Sequence, residues 1–407
     1  MKSSSISYGW IVVAGLSITE TVSWGIIYYG FPVMLRPMEQ ELGWSRTALT
    51  GAFSVGLGAS ALAALPVGRW LDRHGPRALM TLGSCLGVAL LLVWAHVHTL
   101  PALYLCWFGL GLAMAATLYE PAFAAVVSWF HSRHRDRALL TVTLTAGLAS
   151  TIFMPVTSWL LGRMDWRSTL LVLAVVLAVL TIPIHAFVLR QAPRASAHGG
   201  TAHAAASRAP GVTLREALRT VVFWVLTAAF VIGNFSTIAV TVHLIPYLAD
   251  RGYSPTVAAL MIGWMGAVQL GGRLLFAPIA TRFGYRWVTA VIFLVQGLAL
   301  AQLALVSHLP TLVPFVVMLG AANGMATLAR ATTVAEIFGA RHYGSISGAM
   351  AFGANGARAV GPVGASLLQQ ALGSYEAMFW ALTATLTLAA TGVMLTGMRE
   401  SGDDGVD

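Results

Sequence analysis

The sequence predicts an all-α membrane protein of twelve transmembrane helices arranged as two pseudo-symmetric six-helix halves. Its composition, the spacing of its apolar runs and an internal repeat lead to that prediction. Of 407 residues, 57% are apolar and 10% charged, with a mean hydropathy of +0.76; a soluble domain carries roughly 25% charged residues. A hydrocarbon core about 30 Å thick asks for roughly 20 mostly apolar residues per helix. The chain therefore has room for about ten to twelve spans with short loops, and none for a sizeable soluble domain.

Apolar runs bounded by charges, proline or glycine fall at 8–34, 46–70, 78–97, 101–128, 139–161 and 168–189, giving six spans within residues 1–190. Six more fall at 220–248, 256–280, 287–307, 310–335, 343–370 and 376–397, giving a second bundle over 220–397. Between them, 191–219 is rich in Ala, His, Ser and Arg, with Pro193, Gly199, Gly200, Pro210 and Gly211. It has too few large apolar residues for a core and reads as a cytoplasmic linker, flexible or partly helical. Residues 398–407 form a tail. The first run follows one basic residue and lacks a small-residue cleavage site, so it is expected to stay as span 1.

Sixteen Lys and Arg, among them Arg69, Arg73, Arg77, Arg133, Arg135, Arg137, Arg282 and Arg286, lie on the side that holds both termini; five, Arg36, Arg46, Arg163, Arg167 and Arg251, lie on the other. The excess makes that side cytoplasmic and places the protein in an inner membrane. The same bias explains the formal net charge of +9 without a nucleic-acid partner. Cys85 and Cys106 lack ligand spacing, so they read as core filler. No P-loop, zinc motif, nucleophile elbow or clustered catalytic histidines stand out, which argues against an enzyme, a cofactor or ATP-driven chemistry. Neither the linker nor the tail offers a signalling module.

The internal repeat pairs the loop after span 2 with the loop after span 8. Asp72-Arg73-His74-Gly75-Pro76-Arg77 aligns with Thr281-Arg282-Phe283-Gly284-Tyr285-Arg286, matching Arg, Gly and Arg. Glycines there permit a tight turn and close helix approach, and the acid and arginines can pair across helix ends to latch one conformation. Gly68, Asp72, Arg73, Gly75 and Arg77 are therefore gating candidates.

Charge inside the spans marks candidate binding residues, because an ionised group at a helix centre costs about 2.5–3.5 kcal/mol on insertion scales. Arg273 in span 8 and Arg358 in span 11 belong to the same half and can together hold a carboxylate by bidentate hydrogen bonds. The alternative is permanent pairing with an acid or with helix-end carbonyls. Arg330, near the cytoplasmic end of span 10, reads as structural. Glu20 in span 1 and Glu120 in span 4 are each a proton carrier or an arginine's fixed partner. Pro121, next to Glu120, suggests a locally opened helix. Trp24, Tyr28, Tyr29 and Tyr119 can form an aromatic wall for a small organic ligand, or serve as ordinary packing. His243 is a third titratable candidate, or a satisfied core histidine.

Gly68-Arg69-Trp70-Leu71-Asp72-Arg73-His74-Gly75-Pro76-Arg77 resembles the major facilitator superfamily signature GxxxDRxGxR, in the loop where that family carries it. Tyr8-Gly9-Trp10-Ile11-Val12-Val13, His243-Leu244-Ile245-Pro246-Tyr247-Leu248 and Gly271-Gly272-Arg273 resemble the monocarboxylate and oxalate transporter branch. The resemblance implies the major facilitator fold, and Arg273 and Arg358 as the anion clamp. In the monocarboxylate transporters a lysine in span 1 and an acid in span 8 handle the coupled proton. Those positions fall here on Tyr28 and Gln269, which leaves Glu20, Glu120 or His243 as substitutes and Gln269 as a substrate-side residue. The expected activity is secondary transport of a small organic anion, proton-coupled or exchanging, by a functional monomer in contact with membrane lipid. The alternative is a proton-coupled drug or metabolite exporter. Such exporters carry Gly-Pro in span 5, where this chain reads Gly147-Leu-Ala-Ser-Thr-Ile-Phe-Met-Pro155.

Overall fold

The computed structural model describes residues 2–130, 132–190, 211–253, 255–305 and 308–400. Regular structure among them is helical, apart from one bridge between Gly211 and Gly339. Among the described residues, eleven helices are long and apolar enough to cross a membrane. Spans 1 to 6 are Tyr8–Leu42, Arg46–His74, Pro76–Ala95, Leu100–Trp129, His134–Leu161 and Trp166–Val188. Spans 7 to 10 are Val221–Asp250, Leu260–Phe283, Tyr285–Ala304 and Leu312–Ile337, and span 12 is Tyr375–Thr396. Span 11, Tyr343–Leu372, is 30 residues long but is diluted by glycines and by Arg358, Gln369 and Gln370. Residues 191–210 of the expected linker and 401–407 of the tail lie outside the described residues; Leu214–Ala217 is a short helix.

Span 1 outruns its apolar run, which ends near residue 34, because Gly30–Leu42 continues as a helix that Gly43 closes at φ 66°. Its interior contains a π-helical turn, Trp24–Tyr28, closed by the Tyr29 N–H donating to Trp24 O at 2.9 Å. Span 4 breaks at Leu118, whose extended backbone (φ −87°, ψ −158°) separates Leu100–Thr117 from Tyr119–Trp129. Pro121 sits in the first turn after the break, where a residue without an N–H is best tolerated.

By contacts the chain divides into a first unit, 1–213 with 338–352, and a second, 214–337 with 353–407. Within the first, span 4 packs on spans 2 and 3, and span 6 on spans 1 and 3; within the second, span 10 packs on 8 and 9, and span 12 on 7 and 9. The partnerships are the same with every number raised by six. The repeat arginines reproduce the echo. Arg77 Nε donates to Ala186 O at 2.7 Å, joining span 3 to span 6, and Arg286 Nη1 donates to Thr396 O at 3.5 Å, joining span 9 to span 12.

At the opposite ends each unit is tied once more. Glu41 accepts from Trp166 Nε1 at 2.6 Å and Arg167 Nε at 2.9 Å, while Arg167 also donates to Ala95 O and Val97 O at 2.7 and 3.0 Å. In the second unit Arg251 pairs with Glu376 at 2.7 Å and donates to the Tyr247 hydroxyl. The guanidinium therefore stands at the start of span 6 in one unit and at the end of span 7 in the other. Asp165 caps span 6, accepting from Ser168 N at 3.2 Å, which holds its carboxyl below the usual carboxylate range. That cap acts fully above the ordinary carboxylate pKa and fades as pH falls through the lowered one. Arg167→Ala removes three hydrogen bonds at a largely covered site, so we expect a loss of about 2 kcal/mol, read as a lower thermal midpoint in detergent.

Candidate functional site

In the first unit the signature residues converge on the first turn of span 11. The Asp72 carboxylate accepts from Gly344 N and Ser345 N, each at 2.8 Å. Its partners are the backbone donors of a helix N-terminus, where a carboxylate is favoured by both hydrogen bonding and dipole; an arginine pairing was expected. Gly68 allows this approach: a Cβ there would run into Gly344 O, and one on Gly344 would lie 2.8 Å from Asp72 Oδ1. Gly75 takes φ 75° to turn the chain into span 3, Arg77 holds Ala186 O, and Arg73 is exposed.

Deeper in the same unit, the acids and aromatics named from the sequence lie together. Glu20 is fully buried; its Oε2 accepts from Trp24 Nε1 at 3.1 Å and its Oε1 has no partner. No arginine among the described residues pairs with Glu20, so the fixed-partner alternative does not describe it. Glu120, in the first turn after the break of span 4, accepts from Ser347 Oγ at 2.8 Å. The Trp24 ring lies 5.1 Å from Tyr28, 5.1 Å from Tyr119 and 6.4 Å from Tyr29, and Tyr28 lies edge-on to Tyr29 at 5.1 Å. The widened turn Trp24–Tyr28 brings residues of span 1 against the broken part of span 4; such irregularities often mark functional positions.

The second unit carries the cations. Arg273 is buried, and Arg358 is exposed, with its Nε donating to Asn234 Oδ1 at 2.8 Å. Among the described residues Arg358 forms no ion pair, so its charge rests against a neutral amide. Gln269 is half-buried where spans 8 and 10 touch, and a Cβ on Gly324 would run into its backbone carbonyl. Arg330 is half-buried. His243 is covered, with Nε2 3.4 Å from Ser366 Oγ and its ring 5.5 Å from Tyr375.

Several polar residues escaped the sequence reading: Asn234 and Thr237 in span 7, Gln296 in span 9, Asn323 in span 10 and Ser347 in span 11. Uncharged side chains raise no alarm in a charge count, yet an amide inside a span has to find partners too. Scanning the apolar runs for Asn and Gln would have flagged three of them.

Comparison with known proteins follows the same lines. The family model of the Major Facilitator Superfamily matches residues 14–362 and 242–404. Monocarboxylate transporter 13 of Bos taurus is 26% identical over 412 residues, covering 96% of this chain and 89% of its own length. The oxalate:formate antiporter of Oxalobacter formigenes is 26% identical over 329 residues, covering 78% of this chain and 76% of its own. Among solved structures, the fucose:proton symporter FucP of E. coli superposes with a TM-score of 0.72 at 14% identity, over 94% of this chain and 98% of that one. Spans, repeat, signature loop and matched family model agree, and the chain belongs to the Major Facilitator Superfamily of transporters.

Proposed function

We propose that this transporter moves a small organic anion, a carboxylate, across the inner membrane by alternating access, as a monomer with both termini cytoplasmic. The observation that carries the reading is Arg358. Its guanidinium sits inside a span against Asn234, with no acid among the described residues paired to it, ready to exchange an amide for a carboxylate. Arg273, buried in span 8 of the same unit, supplies the second cation. The names of the monocarboxylate and oxalate:formate relatives support the same substrate class. A proton enters at Glu20, with Glu120 and His243 as further titratable groups, and Trp24, Tyr28, Tyr29 and Tyr119 give the ligand an aromatic wall. Asp72, with Gly68, Arg73, Gly75 and Arg77, forms the gate.

The test is thermal stabilisation of the purified protein by small carboxylates and by lipophilic cations, because ligands that bind the folded state raise its melting temperature by mass action. Carboxylates are expected to stabilise the wild type, and Arg273→Gln or Arg358→Gln should weaken the response by about tenfold or more in ligand concentration. Stabilisation by lipophilic cations alone, indifferent to both arginines, would assign the protein to efflux instead.

A further inference from the structure

Span 5 takes no part in the anion clamp or the gate, and its stretch Gly147 to Pro155 is irregular at both ends. Leu148 N donates to Thr145 O at 3.0 Å, a tightened turn that separates Ser132–Ala146 from Ala149–Leu161. Pro155 removes one rung of the second helix. Between these two points lies Phe153, which is buried. Ala149–Leu161 packs on the widened turn Trp24–Tyr28 and on Gly30–Leu42 of span 1.

Within that contact the Phe153 side chain occupies the space that Gly25 leaves. A Cβ on Gly25 would run into the ring of Phe153 and would lie 2.7 Å from its Cβ, an atom that no change of rotamer moves away. Gly25 is buried in helical backbone, so the residue is called for by close approach of the two spans. The ring therefore meets span 1 inside its π-helical turn, one residue from Trp24, whose Nε1 donates to Glu20 Oε2 at 3.1 Å. Such turns are rare, and the contacts of a ring seated in the notch favour the widened backbone over a regular α-turn.

We propose that Phe153 is a positioning residue for the proton site, acting on Glu20 through Gly25 and Trp24. The proposal rests on the reading of Glu20 as the proton carrier and deepens it. With the ring seated, the backbone of the turn is fixed and Trp24 Nε1 stays on the carboxyl. With the notch empty, the turn is free to relax, and the indole that holds Glu20 moves with it. The other titratable groups of this cluster are Glu120, Tyr28, Tyr29 and Tyr119, and no ion pair among the described residues includes Glu20.

The test is an infrared titration of the carboxyl C=O stretch of the full-length protein in detergent, which needs no substrate and does not register the tyrosines. The part of the band that Glu20→Gln deletes belongs to Glu20. Phe153→Ala should move the titration midpoint of that part by about one pH unit or more, tenfold in proton affinity. Phe153→Leu refills most of the notch, guards against a folding failure and should hold the midpoint within about half a unit. Gly25→Ala, which displaces the ring from the other side, should also move it, and should add little in the Phe153→Ala background, because contacting residues are non-additive. An unmoved midpoint in Phe153→Ala and Gly25→Ala, with only the melting temperature lowered, or additive shifts in the double variant, would make Phe153 ordinary packing and leave the reading of Glu20 intact. A band that Glu20→Gln leaves unchanged would overturn both.

Discussion

Glu20→Gln is expected to abolish proton-driven accumulation of substrate in reconstituted vesicles, by about tenfold or more, while exchange of labelled for unlabelled substrate continues. Glutamine keeps the size of the side chain and an acceptor for Trp24 Nε1, so the packing around the 3.1 Å hydrogen bond survives. What it removes is the exchangeable proton of a carboxyl with no basic partner among the described residues. Exchange of substrate for substrate needs no net proton movement and should be spared. Unchanged accumulation in the variant would place coupling at Glu120 or His243, and Glu120→Gln and His243→Gln tested in the same vesicles would separate them.

Asp72→Asn should be as severe in a different way. The carboxylate receives two charge-assisted hydrogen bonds from the start of span 11, each worth roughly 1.5–3 kcal/mol. An asparagine retains one weaker acceptor and loses the attraction to the helix N-terminus. A cost of about 3 kcal/mol corresponds to a population shift on the order of 100-fold. It should appear as faster amide hydrogen exchange at Gly344 and Ser345 and as a fall in transport rate, with substrate-induced stabilisation largely kept. A loss of ligand response with unchanged exchange would show that Asp72 acts on binding and is no gate.

The fold was legible in the sequence because hydropathy and length dominate it: apolar runs found eleven of the twelve helices within a few residues of their ends. The departures have physical causes. Span 1 continues through Arg36, Glu39 and Glu41 because a helix needs no apolar face once it emerges from lipid and is closed by a left-handed glycine at Gly43. Span 11 is long enough but diluted with glycine, so its hydropathy falls below that of its neighbours. The acid and aromatic cluster around Trp24 was also legible, since costly or bulky polar residues in a span need a reason. The amides were not. Asn234, Gln296 and Asn323 carry no charge, and only the three-dimensional arrangement shows that Asn234 meets Arg358 and that Gln296 meets Asn323. The partner of Asp72 was hidden for a related reason, since backbone N–H groups are present in every sequence and become a binding site only where a helix happens to begin.

The widened turn in span 1 carries a consequence for comparing this chain with its relatives. A π turn accommodates one residue more than an α-helix of the same height, so everything N-terminal to it is rotated by about 100° relative to an uninterrupted helix. Glu20 and Trp24 reach the face they occupy only because that extra residue is present between them and Tyr29. A relative lacking it would align without visible disturbance in hydropathy, yet would point its counterpart of Glu20 elsewhere. Single-residue gaps in span 1 are therefore the place to look for homologues that share the fold and set a different residue on the face that Glu20 occupies here.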